Sequence, residues 1–77
     1  MPETGIRAVF AASMARERNA LGLSQRALAR RAGLSRAAVC CAESGKTGLS
    51  LETAAMIAAA LGKDLPGLLT REEAGRA

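Results

Sequence analysis

Few side chains in this sequence could do covalent chemistry. Glu43 is the one carboxylate within the apolar-patterned part that invites a catalytic role, and nothing joins it. There is no histidine, no second carboxylate in register and no set of metal ligands around it, so neither acid–base catalysis nor a metal centre can be assembled. Ser24, Ser35 and Ser50 each stand just before an apolar-periodic stretch, where a serine caps a helix. The two cysteines, Cys40 and Cys41, are adjacent. Neighbouring helical residues point about 100° apart, so a bond between them would distort a helix, and two thiols without a histidine do not make a structural zinc site. They read as small, adaptable side chains, the sharper alternative being a redox-sensitive pair. What remains is the basic excess: eleven Lys and Arg against seven Asp and Glu, a formal charge of +4. That balance favours recognition of a polyanion over catalysis, and no catalytic residue or cofactor is expected.

The elements that must position these residues are short helices. In 77 residues, 49% are apolar and Phe10 is the one aromatic, so the core has to be built from Ala, Leu, Val, Ile and Met. β-Branched residues are scarce and alanine abounds, which argues for helix over sheet. One domain over 1–77 is expected, with 1–5 and 71–77 as flexible ends. Five helices are predicted. The first runs from about Ile6 to Ala20, with Ile6, Phe10, Met14 and the following Leu21 in the core and Gly22 closing it. Ser24 caps a second from Gln25 to Ala32, with Leu28 and Ala32 inward and Ala29 at the closest contact. Gly33 turns the chain and Leu34 plugs the core. Ser35 caps a third from Arg36 to about Ser44, with Val39 and Ala42 inward. Ser50 caps a fourth, Leu51 to Leu61, with Thr53 or Ala54, Ile57 and Leu61 inward. Asp64 starts a fifth to about Leu69, Pro66 being tolerated in its first turn. Leu65, Leu68 and Leu69 cover the bottom of the core. No apolar run reaches the roughly 18–20 residues that span a bilayer. The start Met1-Pro2-Glu3-Thr4-Gly5 lacks the basic, then apolar, pattern of a signal peptide, so a cytoplasmic protein without a membrane role is expected.

The second and third helices meet the spacing rules of a helix-turn-helix. Counted from Gln25, the fifth position must be small and is Ala29, and the ninth must turn and is Gly33. The fourth, eighth, tenth, fifteenth and eighteenth must be apolar and are Leu28, Ala32, Leu34, Val39 and Ala42. A first helix of this size lies across a phosphate backbone, and a second enters a major groove.

With Leu21-Gly22-Leu23-Ser24-Gln25, Leu28-Ala29, Ala32-Gly33-Leu34-Ser35, Val39, Glu43-Ser44-Gly45-Lys46, Ser50-Leu51-Glu52-Thr53, Ile57-Ala58, Ala60-Leu61-Gly62 and Leu65, the chain resembles the phage repressor/Cro-type, or XRE, helix-turn-helix family from about Phe10 to Leu69. The resemblance implies an all-α, five-helix, lambda-repressor-like DNA-binding domain with a central helix-turn-helix. It further implies a homodimer on a palindromic operator in double-stranded DNA. Carried over residue by residue, Ser35, Arg36, Ala37 and Cys41 fall where base edges are read. Arg36 is the main candidate, because its guanidinium fork fits guanine O6 and N7. Gln25, Arg26, Ala38, Lys46 and Thr47 fall where phosphates are held. Arg30 and Arg31 suit a solvated helix face better, as does Arg16. Arg18 and Glu43 match a pair that the family joins in a salt bridge between the first and third helices.

Two departures stand out. The family often has a long polar residue where Ala37 and Cys41 stand, so readout here rests on Arg36, Ser35 and DNA shape. Leu49 replaces a frequent proline, which implies a looser loop. The dimer contact is expected around Leu49, Leu65, Leu68 and Leu69. The implied function is a small transcriptional regulator, a repressor by preference. The alternative is an antitoxin or other protein-binding regulator that uses the same fold on a toxin partner.

Overall fold

A computed structural model describes residues 5–45 and 48–69. The order is α1 (Ile6–Ala20), α2 (Gln25–Ala32), α3 (Arg36–Ser44), α4 (Leu51–Ala60) and α5 (Leu65–Leu68), with no strand among the described residues. The expected terminal segments lie largely outside them, as do Lys46 and Thr47.

Each helix after the first begins on a side-chain cap. The backbone N–H of Ala27 donates to Ser24 Oγ at 3.0 Å, that of Ala38 to Ser35 Oγ at 3.1 Å, and that of Thr53 to Ser50 Oγ at 3.0 Å. The N–H of Gly67 donates to Asp64 Oδ1 at 3.1 Å. Each satisfies a donor that the first turn leaves without an intrahelical partner. α2 ends where Gly33 takes φ 75°, ψ 31°, a left-handed conformation that a side chain disfavours. There the N–H of Leu34 returns to the Ala29 carbonyl at 2.9 Å and that of Gly33 to the Arg30 carbonyl at 3.3 Å. This Schellman pair stops the helix and turns Leu34 onto the core. α1 closes in the same way, with Leu23 N–H on the Arg18 carbonyl and Gly22 N–H on the Asn19 carbonyl, both at 3.0 Å. α3 ends at Gly45, whose φ of 70° coincides with a close approach: a Cβ there would lie 3.4 Å from Ala11 Cβ.

The core gathers Phe10 and Met14 of α1, Leu28 and Ala29 of α2, Val39 and Ala42 of α3, Ala54, Ile57 and Ala58 of α4, then Leu61 and Leu68. Ala29 is 3% exposed within the cluster, where a larger residue would have to displace its neighbours. Leu23, Leu34, Leu49, Leu65 and Leu69 pack against this cluster from its edges. At the fourth helix, Ala54 rather than Thr53 is the buried residue.

Four positions depart from expectation. Ile6 and Leu21, expected in the core, are 58% and 49% exposed. The inward stripe of α1 runs through Val9, Phe10, Ser13 and Met14, so Ile6 projects past the end of the core. Leu21 is the C-cap, where the chain has begun to turn away, and Leu23 packs on the core in its place. Leu68, expected both over the bottom of the core and at a dimer contact, is 1% exposed: it belongs to the core as expected and has no surface left for a dimer contact. Ala32 is half-buried rather than fully inward.

Candidate nucleic-acid interface

α3 has two faces of opposite character. Val39 and Ala42, three residues apart, are buried against the other helices. Ser35, Arg36, Ala37, Cys40, Cys41 and Ser44 are exposed. The helix is thus anchored along one side and bare along the other, with its N-terminal end pointing free. Arg36, one residue past the cap, is the sole charged side chain on that bare face. Ser35 Oγ accepts from the Ala38 N–H, which leaves its hydroxyl hydrogen to donate outward. The same bond occupies the backbone donor of Ala38, and Ala38 is half-buried. The backbone donor of Ala38 is thus engaged by the cap in the free protein.

At the leading end of α2, Arg26 is exposed and Gln25 half-buried. Gln25 is not a loose side chain: its Nε2 donates to Glu43 Oε1 at 3.2 Å. The second Nε2 hydrogen is then the side chain's remaining donor, and an anion is what it could accept as partner. Arg30 is exposed, while Arg31 turns back toward α4, with Nη1 3.5 Å from the Ala60 carbonyl. Arg16 pairs with Glu17 at 3.6 Å within α1, and Glu17 in turn meets Lys63 at 3.8 Å, a surface contact that ties α1 to the turn after α4. Exposed pairs of this kind contribute at most about 1 kcal/mol.

The angle of α3 is held by a polar cluster at the C-terminal end of α1. Arg18 Nε donates to Glu43 Oε2, and Nη2 to Glu43 Oε1 at 3.1 Å, a fork-to-fork pairing across 25 residues of sequence. Arg18 Nη1 also donates to the Leu23 carbonyl at 2.7 Å. One guanidinium therefore joins α1, the α1–α2 turn and the last turn of α3, and Glu43 passes the connection on to Gln25 of α2. The hydrogen bond to Glu43 raises the Arg18 pKa above the ordinary arginine value; burial opposes this and the attraction of the Glu43 charge adds to it. The bonds from Gln25 to Glu43 and from Arg18 to the Leu23 carbonyl emerge only from the structure, because no spacing rule in the sequence announces them.

Among the described residues no group of three or more His, Cys, Asp or Glu could hold a metal ion, and no helix is long and apolar enough to cross a membrane.

Known proteins fit this geometry. A family model described as helix-turn-helix matches residues 14–68. The crystal structure of the clp gene regulator ClgR from Corynebacterium glutamicum is similar, with a TM-score of 0.81 and 28% sequence identity over 88% of this chain and 72% of that one. No curated protein matches in sequence. With a small buried residue at Ala29, a glycine turn at Gly33 and a helix bare on its outer side, all inside the matched span, the chain belongs to the XRE-type helix-turn-helix family of DNA-binding transcriptional regulators, not to an enzyme family.

Proposed function

We propose that this chain is a cytoplasmic transcriptional repressor, a single domain that binds double-stranded DNA as a homodimer with α3 in the major groove. The observation that carries the reading is the division of α3, buried at Val39 and Ala42 and bare at Ser35, Arg36, Ala37, Cys40 and Cys41. In this reading Arg36 offers its fork to a guanine and Ser35 its hydroxyl to a neighbouring base edge. Ala37 and Cys41 give close apolar contact, as to a thymine methyl. Gln25 and Arg26 meet phosphates on the flanking strand, the first by hydrogen bond and the second by charge. Lys46 and Thr47, just past α3, are assigned to phosphates from sequence alone.

The homodimer is supported by a largely apolar groove of about 290 Å³ lined by Ile6, Arg7 and Phe10 of α1, Leu49, Leu51 of α4, Leu65 of α5 and Leu69 just past it. Leu51, at its rim, is 77% exposed and Ile6 58%. A hollow beside a protruding leucine is a self-complementary patch, the kind a two-fold interface needs. Two copies joined there would present two α3 helices to half-sites about 34 Å apart on a palindromic operator. A toxin or other protein in the same groove is the competing occupant.

Selection of bound sites from random duplex DNA tests the reading. The expected result is a two-fold symmetric site. Arg36→Ala should relax the preference at one base position per half-site, at a cost of about 1–3 kcal/mol. Arg26→Ala should weaken all sequences alike and reduce the slope of log affinity against log salt by roughly 0.9 for each phosphate no longer neutralised. Absence of any enriched sequence, or an Arg36→Ala protein with an unaltered preference, would refute it.

A further inference from the structure

Both cysteines of the chain are free and exposed, adjacent in the middle of α3. Cys40 follows Arg36 by one helical turn and Cys41 follows Ala37, so the two thiols lie on the bare face of α3. That face is otherwise short-chained: apart from Arg36 it carries Ser35, Ala37 and Ser44. Cys41 also borders a shallow hollow of about 220 Å³ that it shares with Ala38, Ala42, Leu49, Ser50 and Thr53 between α3 and the start of α4. The thiols cannot satisfy each other. Side chains about 100° apart around a helix do not meet without unwinding it, so a disulfide formed here joins another molecule.

We propose that this thiol pair is a modification site at which a low-molecular-weight disulfide switches off the DNA-binding face; the inference rests on the DNA-binding reading of α3. In the exchange, the thiolate of one cysteine attacks one sulfur of R–S–S–R. A protein–S–S–R bond forms and the R–S–S–R bond breaks. The departing R–S⁻ takes up a proton equivalent to the one the cysteine released to solvent. The cysteine sulfur is oxidised and the released half is reduced to R–SH. The result is steric and electrostatic. A helix with its side chains is about 10–12 Å across and the major groove is about 12 Å wide, so there is no slack for an adduct on the inserted face. A glutathionyl group further brings net negative charge against the phosphates. The short neighbours of the thiols give the adduct room on the free protein, and the hollow beside Cys41 gives it a seat.

The test uses the intact chain and a duplex enriched from random DNA by the reduced protein. After treatment with oxidised glutathione, intact mass should show one or two glutathionyl groups. Duplex affinity should fall at least about tenfold, the effect of a mismatched base pair or more. Dithiothreitol should restore both mass and affinity. A Cys40→Ser, Cys41→Ser double variant, compared with its own untreated baseline, should gain no mass and lose no affinity on treatment. Adducts that leave wild-type affinity unchanged would overturn the proposal. So would absence of any adduct, a disulfide-linked pair of chains as the product, or an equal loss in the double variant. Failure of the reduced protein to enrich any duplex is a separate result and would overturn the DNA-binding reading itself.

Discussion

The two ends of α1 are closed by opposite means. At its C-terminal end, Arg18 forks onto Glu43, holds the Leu23 carbonyl, and through Glu43 restrains Gln25. At its N-terminal end, Ile6 and Phe10 face an apolar groove with Leu51, Leu65 and Leu69, and the exposed leucine and isoleucine leave it open to solvent. Hydrogen bonds to a charged, planar group are directional, so the first end fixes an angle. Apolar burial is non-directional and scales with area, so the second end tolerates variation and gains from a cover. The domain is polar where α3 has to be aimed and apolar where another surface can be added.

The strongest way to break this contrast is Glu43→Ala. The side chains of Arg18 and Glu43 are 14% and 11% exposed, and the pair is partly withdrawn from water. Removing the carboxylate leaves the guanidinium desolvated and releases Gln25. Losing these charge-assisted hydrogen bonds from one side costs about 1.5–3 kcal/mol, measurable as a lower urea midpoint with an unchanged slope. Replacing both partners, Arg18→Met with Glu43→Leu, should recover most of that loss, since an apolar pair of similar volume removes the desolvation as well as the attraction. The double variant should still bind duplex poorly, because the directional hold on α3 is gone. A double variant that is both stable and fully active would show that packing alone aims α3.

Next in size is Gln25→Ala. One hydrogen bond to a carboxylate disappears while the Arg18 bonds to Glu43 remain, so stability should fall by about 1 kcal/mol. Duplex binding should weaken for every sequence alike. The salt slope should not move, because a neutral amide displaces no counterion. A changed slope would mean that the substitution disturbs Arg26 or another cation nearby, and Gln25 would lose its separate role.

The difference between the two ends also explains what could be read from sequence. Caps and stops are local: Ser24, Ser35 and Ser50 act on a donor three residues ahead, and Gly33 closes its own turn, so pattern alone places α2, α3 and α4 within a residue or so. The buried positions Leu28, Ala29, Val39 and Ala42 follow from the spacing that two crossing helices demand. Where sequence reasoning failed, the deciding contact was distant. Ile6 has the type and spacing of a core residue, yet the core ends one turn inside it. Leu68 takes the place expected of it over the core, but its second expected role at a dimer contact fails because Leu68 goes fully inward while Leu69 sits at the edge. The bond from Gln25 to Glu43 spans 18 residues and has no periodic signature.

The smallest effect on folding, and the sharpest on assembly, is expected from Leu51→Ser. Leu51 is the first residue of α4 and is 77% exposed, so in the single chain it buries little and its loss should change stability by no more than about 0.5 kcal/mol. In a two-fold dimer the same residue is buried twice, once in each direction across the axis. Burial of a leucine contributes about 1.5–3 kcal/mol, so the dimer should weaken by about 3 kcal/mol or more, at least a hundredfold in its dissociation constant. Sedimentation at fixed concentration should then show wild type as a dimer and Leu51→Ser as a monomer with the same urea midpoint, after allowance for the stability that dimerisation itself lends the wild type. An identical sedimentation profile for the two proteins would move the dimer contact away from the groove. The apolar end of α1 would then be bare surface, and the contrast between the ends would reduce to the polar cluster alone.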